Sequence, residues 1–187
     1  MNVISKVCSS LMMASLPLTA GCTQLGVHNK GQVRQVGDLP CFSVDDSEEA
    51  REGRPELAVL AVYRYGGEGR ESEPVWVRGF VAADPPVRLS PDDCIVYGDN
   101  SRGDKEGAMD AVPLRSGVAY TYIFNSDIPY ASAKGVGWRN RRYRGHFCLT
   151  QDAGGKVTVH NVRWSEKEER LLWDVCKLTD GAERSTF

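Results

Sequence analysis

The sequence predicts an all-β domain: a small antiparallel β-sandwich, Ig-like or barrel-like, of about eight strands held by two disulfides. Three observations lead there. Short apolar runs with period-two alternation recur between clusters of Gly, Pro and Asp. No stretch sustains three turns of helical periodicity. Behind an export signal stand four widely separated cysteines.

The strands are expected in the following order. Cys41-Phe42-Ser43-Val44 is a short run after Pro40. Leu57 to Tyr65 puts Leu57, Val59, Ala61 and Tyr63 on one face, since successive side chains in a strand point to opposite sides. Val75 to Ala82 follows a Gly-rich, charged turn, and Cys94 to Tyr97 follows the Pro85-Pro86 and Ser90-Pro91 turns. Gly117 to Phe124 alternates and is aromatic. Tyr143 to Thr150 ends at Gln151-Asp152-Ala153-Gly154-Gly155, a hairpin signal, and Lys156 to Trp164 returns. Leu171 to Lys177 closes the set, with Leu171, Trp173 and Val175 on one side. Ser165-Glu166-Lys167-Glu168 matches a capping box, which places one helical turn inside the last hairpin.

The chain has 187 residues, 26% charged and 41% hydrophobic, with a formal net charge of −2. That is the size of one domain. A near-neutral balance speaks against a nucleic-acid binder, which needs a strong basic excess. No apolar run is long enough for an ordinary membrane-spanning helix.

The N-terminus reads as an address. Lys6 forms a short positive region, Val7 to Leu18 a short apolar one, and small residues lead to Cys22. Leu18-Thr19-Ala20-Gly21-Cys22 resembles a bacterial lipobox, after which the Cys thiol is acylated and the peptide is cut before it. Acyl chains give stable anchoring without a spanning helix, at about 0.8 kcal/mol per buried CH₂. Thr23, not Asp, follows the cysteine, which by resemblance to sorted lipoproteins favours the outer membrane. The expected organisation is a signal peptide over 1–21, a lipidated polar tether over 22–37 and a β-rich domain over 38–187.

Cys8 leaves with the signal and Cys22 carries lipid. Cys41, Cys94, Cys148 and Cys176 remain, an even number in an exported domain, which implies two disulfides with three pairings open. Zinc sites pair ligands at C-x₂₋₄-C spacing, and these four are all much farther apart.

Chemistry-bearing motifs are few. There is no G-x-S-x-G elbow and no Walker or Rossmann glycine pattern. Gly66-Gly67-Glu68-Gly69-Arg70 joins two strands and opens no helix, so it reads as a hairpin loop. Asp92-Asp93 are turn residues, because adjacent carboxylates on a strand diverge. Asp99-Asn100-Ser101-Arg102-Gly103-Asp104 lacks the spaced ligands and closing Glu of a calcium loop. His146 and His160 sit on neighbouring strands and are read as satisfied or exposed side chains. No catalytic residue, cofactor or metal is expected. One segment stands out from a net acidic chain. Lys134 to Arg144 (KGVGWRNRRYR) interleaves Arg139, Arg141, Arg142 and Arg144 with Trp138 and Tyr143. Arg with aromatics is the composition of interface hot spots. This basic loop is the candidate partner-binding surface.

The mature chain resembles the type VI secretion immunity periplasmic lipoproteins of Gram-negative bacteria. The features carrying the resemblance are the lipobox ending in Cys22, Leu39-Pro40-Cys41-Phe42-Ser43-Val44, and Leu89-Ser90-Pro91-Asp92-Asp93-Cys94-Ile95 followed by Tyr97-Gly98. Pro113-Leu114-Arg115-Ser116-Gly117 leading to Tyr120, and the run from Tyr143 to Leu149, complete them. The resemblance implies a non-enzymatic, periplasm-facing binder that neutralises an antibacterial effector. It implies the pairing Cys41–Cys94, which leaves Cys148–Cys176 as the second bridge. Two other functions stay open from the residues alone: an envelope structural or assembly lipoprotein, and a hydrolase using scattered carboxylates.

Overall fold

The computed structural model describes residues 28–67, 72–81, 83 and 85–177. Cys22, the signal peptide and the first residues of the expected tether lie outside them. The all-β expectation holds, with both disulfides paired as the resemblance implies: Cys41–Cys94 and Cys148–Cys176, at Cα separations of 5.5 and 5.8 Å.

Strands β1 (His28–Val36) and β2 (Leu39–Val44) form a hairpin. Its turn needs Gly37, whose φ of 59° is strained for any side chain with a Cβ. A short helix α1 (Glu48–Gly53) leads to β3 (Glu56–Arg64) and β4 (Glu73–Gly79). Then come β5 (Ile95–Val96), β6 (Asp104–Met109), and the long hairpin of β7 (Ala119–Ser132) and β8 (Gly135–Gln151). β9 (Val157–Val162) follows, and the two-residue strands β10 (Trp164–Ser165) and β11 (Arg170–Leu171) end at a 3₁₀ turn over Trp173–Cys176.

One sheet runs in the order β5-β2-β1-β8-β7-β3-β4-β6, with β9 also on β8. It is mixed rather than purely antiparallel, because β1 pairs with β8 in parallel, His28 opposite Arg142 and Lys30 opposite Arg144. β1 and β9 share one edge of β8: β1 takes Arg142–Arg144 and β9 takes His146–Gln151. The sheet curls until its ends meet. The Tyr97 hydroxyl, just past β5, lies 2.6 Å from the Val112 carbonyl and 3.2 Å from that of Val75 in β4.

The curl encloses an aromatic core of Phe42, Trp76, Tyr120, Tyr122, Phe124, Tyr143 and Phe147. Phe42 sits at its centre, its ring 4.7 Å from Tyr122 and 5.3 Å from Phe147. Such ring pairs contribute about 0.5–1.5 kcal/mol beyond the area they bury.

Several expectations are corrected. The folded domain already includes His28, so residues 28–36 of the expected tether are a strand inside the sheet. The reason lies in its inward positions. Only Val33 there is buried and aliphatic. The Tyr122 ring fills the space above Gly31, where a Cβ would collide with it, and Asn29 hydrogen-bonds Tyr143. Large side chains from neighbouring strands do the filling, so β1 carries almost no apolar pattern. The last expected strand, 171–177, gives way after Leu171 to the 3₁₀ turn that swings Cys176 to Cys148. Residues 166–169 make a tight turn and not a helical one, with the Glu168 amide donating to Ser165 Oγ at 3.2 Å. The segment expected as a basic loop over 134–144 is strand β8 from Gly135 onward, with only Lys134 left in the turn before it.

Candidate binding surface

β7 and β8 outrun their neighbours. β3 accompanies β7 only as far as Asp127, and β1 joins β8 only from Arg142. Ile128–Arg141 therefore form a two-stranded arm that extends past the sheet, with Pro129 opposite Trp138 and Ala131 opposite Val136. Strand alternation divides the basic segment between two faces.

The inward face is braced. Ile128 is buried against Gly53 of α1, where a Cβ would collide with it. Tyr130 lies over Gly137 in the same way, and the Arg139 guanidinium stands 5.0 Å from the Tyr130 ring centroid. Arg141 grips Glu49 with two contacts, Nη2 to Oε1 at 2.7 Å and Nε to Oε2 at 3.0 Å, and Arg139 reaches the same carboxylate at 3.4 Å. Two-point pairing of this kind fixes direction as well as distance. The Arg141 hydrogen bond holds the Glu49 carboxyl below the usual range. The helix carrying Glu49 is itself fixed. Ser47 Oγ accepts from the Ala50 amide at its N-terminus, and Arg51 contacts Asp46 and Asp92.

The outward face is open. Val136 is 75% exposed and Trp138 54%. Asn140 donates to Asp127 Oδ1 at 3.3 Å, and Arg142 Nε donates to Asn125 Oδ1 at 3.0 Å. Arg144 follows two positions on, exposed, and beside these arginines the parallel strand β1 places His28 and Lys30, also exposed. Among the described residues no carboxylate forms an ion pair with Lys30, Arg142 or Arg144. Partial burial, then Arg144 and Arg142, lower the pKa of His28. The site is a strip with an apolar tip and a cationic base.

Of the six residues expected to meet a partner, Trp138, Arg142 and Arg144 lie on this strip. Arg139 and Arg141 are engaged by Glu49. Tyr143 is a correction: it is 1% exposed and points into the core, so it lies beneath the strip rather than on it. Its phenol pKa is raised chiefly by burial. The sequence reading missed His28 and Lys30, because the register of a parallel pair between distant segments leaves no local trace.

The other candidate groups are engaged in local hydrogen bonds. His146 Nδ1 and Thr121 Oγ1 lie 2.8 Å apart, as do His160 Nε2 and Thr150 Oγ1, so each imidazole takes a threonine rather than the other histidine. Asp93 accepts from Ser90 through both its amide and its hydroxyl, and Asp99 does the same for Ser101. A cleft of about 520 Å³ between the proline turn and the 101–104 bend has, among the described residues that line it, one carboxylate, Asp104, and no histidine. No cluster of three His, Cys, Asp or Glu that could hold a metal occurs among the described residues. No helix there is long and apolar enough to cross a membrane. No family model matches the chain, and no curated protein or solved structure does either.

Proposed function

We propose that this protein is an immunity lipoprotein: acylated at Cys22, held in the outer membrane facing the periplasm, it binds and neutralises a type VI secretion antibacterial effector. The carrying observation is the arm. Exposed Trp138 and Val136 stand at the end of a hairpin whose other face is locked to α1 by the Glu49 contacts. An exposed Trp on a rigid support gives a large contact area at little ordering cost, the usual makeup of an interface anchor. The lipobox-like ending at Cys22 and the order of short motifs shared with the immunity lipoproteins support the same reading. A protein that acts by stoichiometric blockade requires no catalytic centre of its own.

The test is capture of the effector encoded beside this gene. The protein is expected to co-purify with it in a one-to-one complex and to protect cells that receive it. Trp138→Ala combined with Val136→Ser is expected to fold normally and weaken the complex by about 2 kcal/mol or more. Unchanged affinity and protection remove the arm tip from the interface, and absence of any complex refutes the immunity reading.

A further inference from the structure

The base of the strip has a separate feature: it lies where the chain departs toward its proposed anchor. Cys22 stands six positions before His28. Even fully extended, that length spans only about 20 Å at 3.3–3.6 Å per residue. An acylated Cys22 sits at the bilayer surface, so His28 and its neighbours are confined to that distance from the headgroups. Beside His28, on the same outward face, are Lys30, Arg142 and Arg144, three exposed cations with no carboxylate paired to them among the described residues. In a chain of net charge −2 this concentration is local.

We propose that Lys30, Arg142 and Arg144 dock the domain on the anionic headgroups of the phospholipid leaflet that holds the anchor. The inference rests on the anchored-lipoprotein reading for its geometry and goes beyond it, because it assigns the membrane a protein surface as well as a lipid. Screening limits such attraction to about 8 Å at physiological ionic strength, so distant charges would do little. A short tether keeps these charges within reach and makes the second contact an intramolecular event. Each Lys or Arg at an anionic surface strengthens binding by roughly five-fold. Trp138, six positions from Arg144, is displaced by about 20 Å along the strand, leaving the tip to the effector.

The experiment uses the mature chain from residue 22 with Cys22→Ser, which carries neither the apolar signal segment nor the acylation site, so its result is independent of whether Cys22 is lipidated. Vesicles of phosphatidylethanolamine and phosphatidylglycerol, three to one, are compared with vesicles of phosphatidylcholine alone in sedimentation assays across a salt series. Stronger partition onto the anionic vesicles, declining as salt rises, is expected. Lys30→Ala is expected to lose about five-fold, and the triple variant with Arg142→Ala and Arg144→Ala on the order of 100-fold. Trp138→Ala is expected to partition like its parent. Equal partition onto both vesicle types overturns the proposal, as does a triple variant that binds as its parent does. A triple variant that loses effector binding while keeping its vesicle partition assigns the base to the effector and also overturns it. The mass of the mature protein tests the anchor itself, and a free Cys22 thiol there refutes the lipoprotein reading separately.

Discussion

A single imidazole records how the outer face of the sheet is covered. His146 points outward from β8, yet the rings of Tyr65 and Trp173 close over it at 6.0 Å each, edge-on. Burial, with a smaller contribution from Arg144, lowers its pKa from 6.5 to about 4. The neutral ring is therefore the folded form at neutral pH. Because the folded value lies below the unfolded one, the folded state binds fewer protons between them. The stabilisation is complete above pH 6.5 and is lost as pH falls toward 4. The full loss is on the order of 3 kcal/mol. Melting temperature is expected to fall between pH 7 and pH 4.5, and His146→Gln to flatten that fall. A slope unaltered by the substitution would place the acid sensitivity in the carboxylates instead.

Among the elements, strands with an apolar inward face are legible in the sequence, and those whose neighbours fill the space are not. β3 spans Glu56–Arg64, close to its expected Leu57–Tyr65, but the expected face of Leu57, Val59, Ala61 and Tyr63 is corrected: a bulge between Leu57 and Val59 shifts the parity, so Leu60 and Val62 join Leu57 in the core. β1 has no such signature, since Gly31 exists to admit Tyr122. α1, a helix of six residues, is too short for periodicity, and its trace was Ser47 followed by Glu48 and Glu49, an N-cap with an acidic first turn. The binding strip was half legible: composition marked the basic segment, but only the strand parity shows that Arg139 and Arg141 turn inward to Glu49 while Arg142 and Arg144 turn out. That brace makes a prediction at this scale. Glu49→Ala is expected to speed amide exchange across Val136–Arg141 while the core of β3 and β7 keeps its protection. The stability cost should stay within about 1 kcal/mol, as for other partly exposed ion pairs. Unchanged exchange in the arm would show that Ile128 and Tyr130 hold it without the charges.

At the scale of the whole molecule, the two disulfides do different work although both close long loops. Cys41–Cys94 spans 53 residues and ties β2 to the turn before β5, on the face of β2 opposite Phe42, where Cys41 is fully buried beneath that turn. Cys148–Cys176 spans 28 residues and fastens the C-terminal 3₁₀ turn to the outer face of β8, in a small cluster with Val162, Leu171 and Trp173. Loop-closure entropy alone would make them similar, about 4 and 3.5 kcal/mol. Their positions separate the consequences. Replacing Cys41 and Cys94 by Ala is expected to lower the global transition, because the released β2 carries Phe42 at the centre of the core. Replacing Cys148 and Cys176 by Ala is expected to free the 3₁₀ turn while β7 and β8 remain protected from exchange. Trp173 then no longer covers His146, so the ring rehydrates and its pKa returns toward 6.5. The second variant should therefore be less stable at neutral pH and yet lose less further stability on acidification than the parent. Unfolding scans of both variants at pH 7 and pH 4.5 decide this. Two variants with equal losses and equal pH slopes would mean that the C-terminal cluster is one cooperative unit with the core, and that the cover over His146 does not depend on its disulfide.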